Sequence, residues 1–260
     1  MSQVQINEPR FIEKGRFEAE FDRGRHPRAR IGFILIPTDP LIEEDMVKMA
    51  PPGVGVHFTR AQMPEGATVA NLAAMKDGLS DAASLLMPGF EVDVVCYACT
   101  SGSIVMSEEA VVAELRRARP DRKATTLVTG CVEALRTLGA RRIVIGTPYI
   151  DEVNKLVGEF FRSKGFDVLT VEGLGSIYDN DISRVTPDYI TKFAQAIDSP
   201  MADATFVSCG GLRSVESLDD IELNTGKPAV SSNQAMLWHC LRMAGIADQF
   251  SGYGRLFRDY

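Results

Sequence analysis

The segment Asp93-Val94-Val95-Cys96-Tyr97-Ala98-Cys99-Thr100-Ser101-Gly102-Ser103 decides the fold. A short apolar run, too brief for a helix, gives way to small polar residues at a Cys, as a buried strand does when it feeds a helix. The same order returns at Ala204-Thr205-Phe206-Val207-Ser208-Cys209-Gly210-Gly211. A second pair of segments behaves alike: Ile31 to Ile36 runs into Pro37 and Thr38, and Arg142 to Gly146 runs into Thr147 and Pro148. Cys209 follows Cys99, and Ile143 follows Ile31, at nearly one spacing of about 110 residues, the signature of an internal repeat. Two similar α/β lobes of roughly 100 residues each are the expectation.

Outward from these segments, the strands predicted are Ile31 to Ile36, Val54 to Thr59, Asp93 to Ala98, Thr125 to Val128, Arg142 to Gly146, Asp167 to Val171, Ala204 to Ser208 and Pro228 to Ser231. Stretches of helical period lie between them, such as Leu72, Met75, Leu79, Ala82, Ala83 and Leu86, which predict one apolar stripe laid on a sheet. Leu135 to Gly139 and Phe160 to Gly165 each end in Gly, a common helix stop. Strands alternating with helices predict parallel sheets with crossover connections.

The chain of 260 residues carries a formal net charge of −7, which gives no electrostatic footprint for a polyanion and argues against nucleic acid as a partner. No apolar run approaches the roughly 18 residues of a membrane span, and residues 1–30 lack the apolar centre of a secretion signal. A cytoplasmic protein with no membrane partner is expected. Five cysteines, an odd number in a long chain, argue against a disulfide framework.

In an open parallel sheet ligands bind beyond the carboxyl ends of strands, and both Cys99 and Cys209 fall there. The start of a helix and nearby backbone N–H groups are expected to favour their thiolates. The small residues behind them, Thr100, Ser101 and Gly102 after one and Gly210 and Gly211 after the other, leave N–H groups open to a carboxylate or a developing enediolate. Cys96 falls inside a strand and Cys240 in an apolar helix, so both are read as core. Cys131, behind Thr129 and Gly130, is placed at a helix start, with packing the favoured reading. Metal and cofactor are both expected to be absent: no second close pair of ligands completes a zinc site, and neither a Walker A nor a full dinucleotide glycine motif occurs. No G-x-S-x-G supports an esterase elbow. Tyr149 and Asn180 stand beyond strand ends, where each is placed to donate a hydrogen bond to a carboxylate or to serve its own turn.

Together Cys99-Thr100-Ser101-Gly102-Ser103, Gly146-Thr147-Pro148-Tyr149, Asn180, Ser208-Cys209-Gly210-Gly211-Leu212-Arg213 and Ser232-Asn233-Gln234-Ala235-Met236-Leu237-Trp238 give a resemblance over about Arg30 to Gly254. The chain resembles the maleate cis-trans isomerase and arylmalonate decarboxylase branch of the aspartate/glutamate/hydantoin racemase superfamily, which includes ectoine-utilisation proteins of the EutA type. The resemblance implies two pseudo-symmetric lobes, each a four-stranded parallel sheet flanked by helices, with the site in the cleft between them. We divide the chain into an N-terminal arm (1–29), lobe 1 (30–125 plus 230–260) and lobe 2 (126–229). The arm is expected to pack on a neighbouring subunit of a homo-oligomer.

The resemblance further implies cofactor-independent isomerisation or racemisation of a small carboxylate, most like maleate to fumarate. Cys99 and Cys209 are then the catalytic thiols, and Pro37, Thr38, Thr100, Ser101, Tyr149, Asn180, Gly210 and Gly211 the substrate-binding residues. Decarboxylases of the branch place Gly where Cys99 stands, so decarboxylation of an arylmalonate-type diacid ranks second. The turn Pro37-Thr38-Asp39-Pro40 lacks the Asn of maleate isomerases, which keeps open an ectoine-pathway or amino-acid-like substrate, or a non-catalytic carboxylate-binding protein.

Overall fold

The computed structural model describes residues 19–64, 66 and 68–260. Its first half runs β1 (Ala29–Leu35), α1 (Ile42–Met49), β2 (Val54–Arg60), α2 (Val69–Ala74), a 3-10 turn (Met75–Gly78), α3 (Leu79–Ser84), β3 (Val94–Tyr97), α4 (Thr100–Met106), α5 (Glu108–Ala118), β4 (Lys123–Thr126) and α6 (Leu127–Thr137). The second continues as β5 (Arg142–Thr147), α7 (Asp151–Ser163), β6 (Asp167–Gly173), α8 (Asp179–Ile182), α9 (Pro187–Ile197), β7 (Ala204–Val207), α10 (Leu218–Thr225), β8 (Ala229–Ser231), α11 (Ser232–Met243) and α12 (Gly254–Asp259).

The strands form two four-stranded sheets, ordered β2-β1-β3-β4 and β6-β5-β7-β8, and every pairing is parallel. β5 to β8 thus repeat β1 to β4 place for place, and the cysteines about 110 residues apart follow the equivalent strands β3 and β7. A strand covered by helices on both faces needs apolar side chains in both directions, and all four residues of β3 and of β7 are buried. In each sheet the strand order reverses between its first and third strands, which opens a crevice at their carboxyl ends. Ile36 and Cys99 flank that point in one sheet; Pro148 and Cys209 flank it in the other.

Helices α6 and α11 pack against each other between the sheets, with α11 also reaching α1, β3 and β4 of the first lobe. Gly130 allows their close approach, because a Cβ there would sit 2.9 Å from the Ala235 carbonyl oxygen. Three expectations need correction. The strand expected at Thr125 to Val128 ends at Thr126, whose side chain accepts the Thr129 N–H at 3.2 Å and starts a helix at Leu127. That start moves Cys131 into the middle of α6, away from its N-terminus. The stripe from Leu72 to Leu86 is buried as expected, but its carrier breaks into α2, the 3-10 turn and α3. Of the N-terminal arm, residues 1–18 lie outside the described residues; Arg28 donates its N–H to the Gly53 carbonyl at 3.0 Å and pairs with Asp248. Among the described residues no helix is long and apolar enough to cross a membrane.

Candidate active site

Cys99 is the N-cap of α4, with an extended backbone (φ −143°, ψ 123°). Its Sγ accepts the Gly102 N–H at 3.3 Å and lies 3.7 Å from the Ser101 hydroxyl. Cys209 is different. Its φ is +104°, a region costly for any residue with a Cβ, and its Sγ accepts the Gly211 N–H at 3.3 Å. No helix follows directly, since the next turn is a 3-10 segment at Val215–Ser217. Only one of the two thiols therefore caps a helix.

All five cysteines are free. Cys96, Cys131 and Cys240 are wholly buried, whereas Cys99 and Cys209 each keep 8% exposure, and they do so in one shared cavity. Thr100, Ser101, Tyr149, Gly210 and Gly211 line it with the thiols. Ile36, Met63, Leu72 and Ala98 supply an apolar wall. Larger open grooves along α7 and β6 and beside α10 and α12 contain no cysteine.

Three of the expected binding residues stand elsewhere. Asn180 is exposed and lines an outer groove with Thr38, Pro40 and Tyr178, and Pro37 is exposed on the turn after β1. Their neighbours in sequence take the inward places: Asp39 and Asp179 line the thiol cavity. The reason is local. Asp39 Oδ1 accepts the N–H groups of Leu41 (2.9 Å) and Ile42 (2.8 Å) at the start of α1, which turns its side chain inward. Asp179, first residue of α8, accepts the Thr38 hydroxyl, so Thr38 acts on the site through that carboxylate.

A second layer holds the two cysteine loops in register. The Ser232 hydroxyl accepts the Cys209 N–H at 2.9 Å and shares a hydrogen bond with the Thr100 hydroxyl at 2.9 Å. Asn233 Nδ2 donates to the Gly210 carbonyl and to Asp45 Oδ2, both at 2.8 Å. Burial pushes the Asp45 carboxyl from its ordinary 3.8 up to about 6, against the Asn233 hydrogen bond. Ser232, Asn233 and Asp45 had no assigned role in the sequence reading, although Ser232-Asn233 stands directly behind a strand and opens one of the stretches that carry the resemblance.

Helix geometry alone suggested depressed thiols. The structure reverses this: burial pushes both Cys99 and Cys209 up, and for Cys209 the negative charge of Asp179 adds to the rise. Hydrogen bonds from Gly102, Ser101 and Tyr97 to Cys99, and from Tyr149 and Gly211 to Cys209, work in the opposite direction without overcoming it. Burial likewise raises Tyr149, and each thiolate would raise it further, so it stays a neutral hydroxyl beside both sulfurs.

Repeated four-stranded parallel sheets with a paired-cysteine cavity at their switch points define a two-lobed α/β protein. The chain belongs to the arylmalonate decarboxylase family, whose model matches residues 78–257. It is 35% identical over 136 residues to arylmalonate decarboxylase of Bordetella bronchiseptica, a match covering 51% of this chain and 57% of that one. With maleate isomerase of Pseudomonas putida it shares 28% identity over 243 residues, 87% of this chain and 96% of the relative. A solved structure of a Nocardia farcinica maleate cis-trans isomerase mutant with a covalently bound succinylcysteine intermediate superposes with a TM-score of 0.82, at 22% identity, over 89% of this chain and 99% of that one.

Proposed function

We propose that this protein is a cofactor-independent isomerase or racemase of a small carboxylate that works through Cys99 and Cys209. The observation that carries the reading is their placement after equivalent strands of the two lobes and in the wall of one cavity. In the isomerase form, the Cys99 thiolate adds to an alkene carbon beside a carboxylate, and the π electrons move onto the neighbouring carbon and its carboxylate. Rotation about the resulting single bond, with Cys209 managing the proton, precedes elimination of Cys99 to the trans product. In the racemase form, one sulfur removes an α-proton and the other returns a proton from the opposite face. Either form accumulates charge on the carboxylate, for which Thr100, Ser101, Gly210 and the Tyr149 hydroxyl are the proposed partners. The succinylcysteine in the Nocardia relative is chemistry of the first kind, and it supports the isomerase form.

Decarboxylation of an arylmalonate-type diacid is the second reading, favoured by the 35% identity to the Bordetella enzyme. It leaves Cys99 without a task. Incubation in D₂O with maleate, phenylmalonate and chiral amino and N-acyl acids, followed by NMR, separates the outcomes: a new trans alkene, solvent deuterium at an α-carbon, or loss of CO₂. Cys99→Ser and Cys209→Ser should each lower kcat a hundredfold or more, on the order of an acid/base group's contribution, with the fold retained. Parental turnover in both variants would refute the two-thiol mechanism.

A further inference from the structure

The charge of the cavity wall does not match a dicarboxylate. Asp39 and Asp179 both line it, 5% and 8% exposed, and among the described residues none that lines it is Lys, Arg or His. Burial pushes both carboxyls up, and Asp179 adds to the rise of Asp39 while the Arg60 guanidinium works against it, so a cation seated on them would favour their ionised forms. Each has one oxygen engaged, Asp39 Oδ1 by the Leu41 and Ile42 N–H groups and Asp179 Oδ2 by the Thr38 hydroxyl. Asp179 Oδ1 points toward the catalytic loop: it and Cys209 Sγ lie 3.9 and 3.7 Å from the one point where a Gly211 Cβ would stand. An acidic oxygen so placed beside the candidate nucleophiles repels a second substrate carboxylate and attracts a cationic nitrogen.

We infer that the substrate of this cleft carries an ammonium or amidinium nitrogen, seated on Asp179 with Asp39 behind it, and is a small amino acid rather than a dicarboxylate. The inference rests on the proposed thiol site and names its substrate class. One end of such a zwitterion meets the acids and its carboxylate meets the Thr100 and Gly210 side, while Ile36, Met63 and Leu72 accept an aliphatic body. The arrangement also joins binding to chemistry. The charge of Asp179 opposes ionisation of Cys209, and a bound cation offsets that charge, so the thiol becomes easier to ionise when the correct substrate is in place.

The test uses pairs that differ only by the amino group: 2-aminobutyrate against butyrate, and aspartate against succinate. Binding to the full-length protein is measured by calorimetry, and turnover by NMR in D₂O with maleate included. The expected result is at least tenfold tighter binding of the amino member of a pair, and loss of that preference in Asp179→Asn, which retains an acceptor for Thr38. If Asp179→Asn melts early, Asp179→Glu serves, since it keeps the charge and must keep the preference. Equal affinity within both pairs, no binding of either member, or turnover of maleate that Asp179→Asn diminishes, overturns the inference. The cysteine variants keep the two readings apart. Thiol-dependent turnover of a dicarboxylate alone sinks the substrate class and leaves the mechanism standing. Asp179-dependent binding of the amino member, with turnover indifferent to both cysteines, does the reverse.

Discussion

Replacing Asp45 by Asn should stabilise the protein at pH 8 and leave it unchanged near pH 4. Asp45 sits on α1 with its Oδ2 accepting the Asn233 amide at 2.8 Å, and burial raises its pKa from 3.8 to about 6. A folded state that holds a proton more tightly than the unfolded chain gains stability below the unfolded pKa and loses it as pH rises through the folded one. The shift of about two units, at about 1.4 kcal/mol each, makes the ionised carboxylate a burden of up to about 3 kcal/mol above pH 7. Asn carries no charge at any of these pH values and can still accept the Asn233 N–H. Urea unfolding of parent and variant at pH 4 and pH 8 reads the difference, in which the other carboxylates cancel. The variant should gain about 2 to 3 kcal/mol at pH 8, about 4 to 10 °C in Tm for a chain of this size, with almost no gain at pH 4. A pH-independent gain, or a loss at pH 8, would show that Asp45 is not held as an uncompensated buried charge.

Because both thiols are pushed up, kcat/KM should climb with pH and reach no plateau below about pH 9, the opposite of an enzyme with a preformed thiolate; a pH–rate profile flat from pH 7 would contradict this. Ser232→Ala removes the acceptor of the buried Cys209 N–H and the partner of Thr100, which should cost about 1 to 3 kcal/mol in stability and lower kcat; denaturation and steady-state kinetics measure both. Iodoacetamide at pH 9 should label Cys99 before Cys209 and leave Cys96, Cys131 and Cys240 untouched, as peptide mass spectrometry after timed quenching would show.

Most of the fold was legible because the sheets are parallel and buried. Such strands read as short Val- and Ile-rich runs, and the repeat fixed which of them were equivalent. The misplaced element, Thr125 to Val128, shows what the pattern leaves out: Leu127 and Val128 suit a strand by side chain, but the Thr126 hydroxyl accepts the Thr129 N–H and caps a helix that begins at Leu127. The cavity was legible where small residues follow strands, at Thr100, Ser101, Gly210 and Gly211. Its acidic side was not. Asp39 and Asp179 sit in short turns where Asp is an ordinary capping residue, and one step of a helical turn separates the inward Asp179 from the outward Asn180. That step depends on the Thr38 hydroxyl of the other lobe, a contact 141 residues away in sequence.

The repeat is exact in strand order and inexact in charge, and in the proposed mechanism that difference would divide the labour between the thiols. Cys99 caps α4, and its Sγ accepts a helical N–H and lies beside the Ser101 hydroxyl, so its thiolate has donors already in place. Cys209 stands in a strained loop, and after burial itself Asp179 is the largest influence opposing its ionisation; for Cys99 the same carboxylate ranks behind every hydrogen bond. The thiol that ionises more readily is the better nucleophile at a given pH, and the one that keeps its proton is the better acid. Addition by Cys99 with proton management at Cys209 is therefore the assignment that the electrostatics favour, and the reverse would need Asp179 neutralised first. A cationic substrate does that neutralising. On such a substrate the two sulfurs come closer to equal, which is what a racemase that works in both directions requires, whereas a dicarboxylate would preserve their inequality.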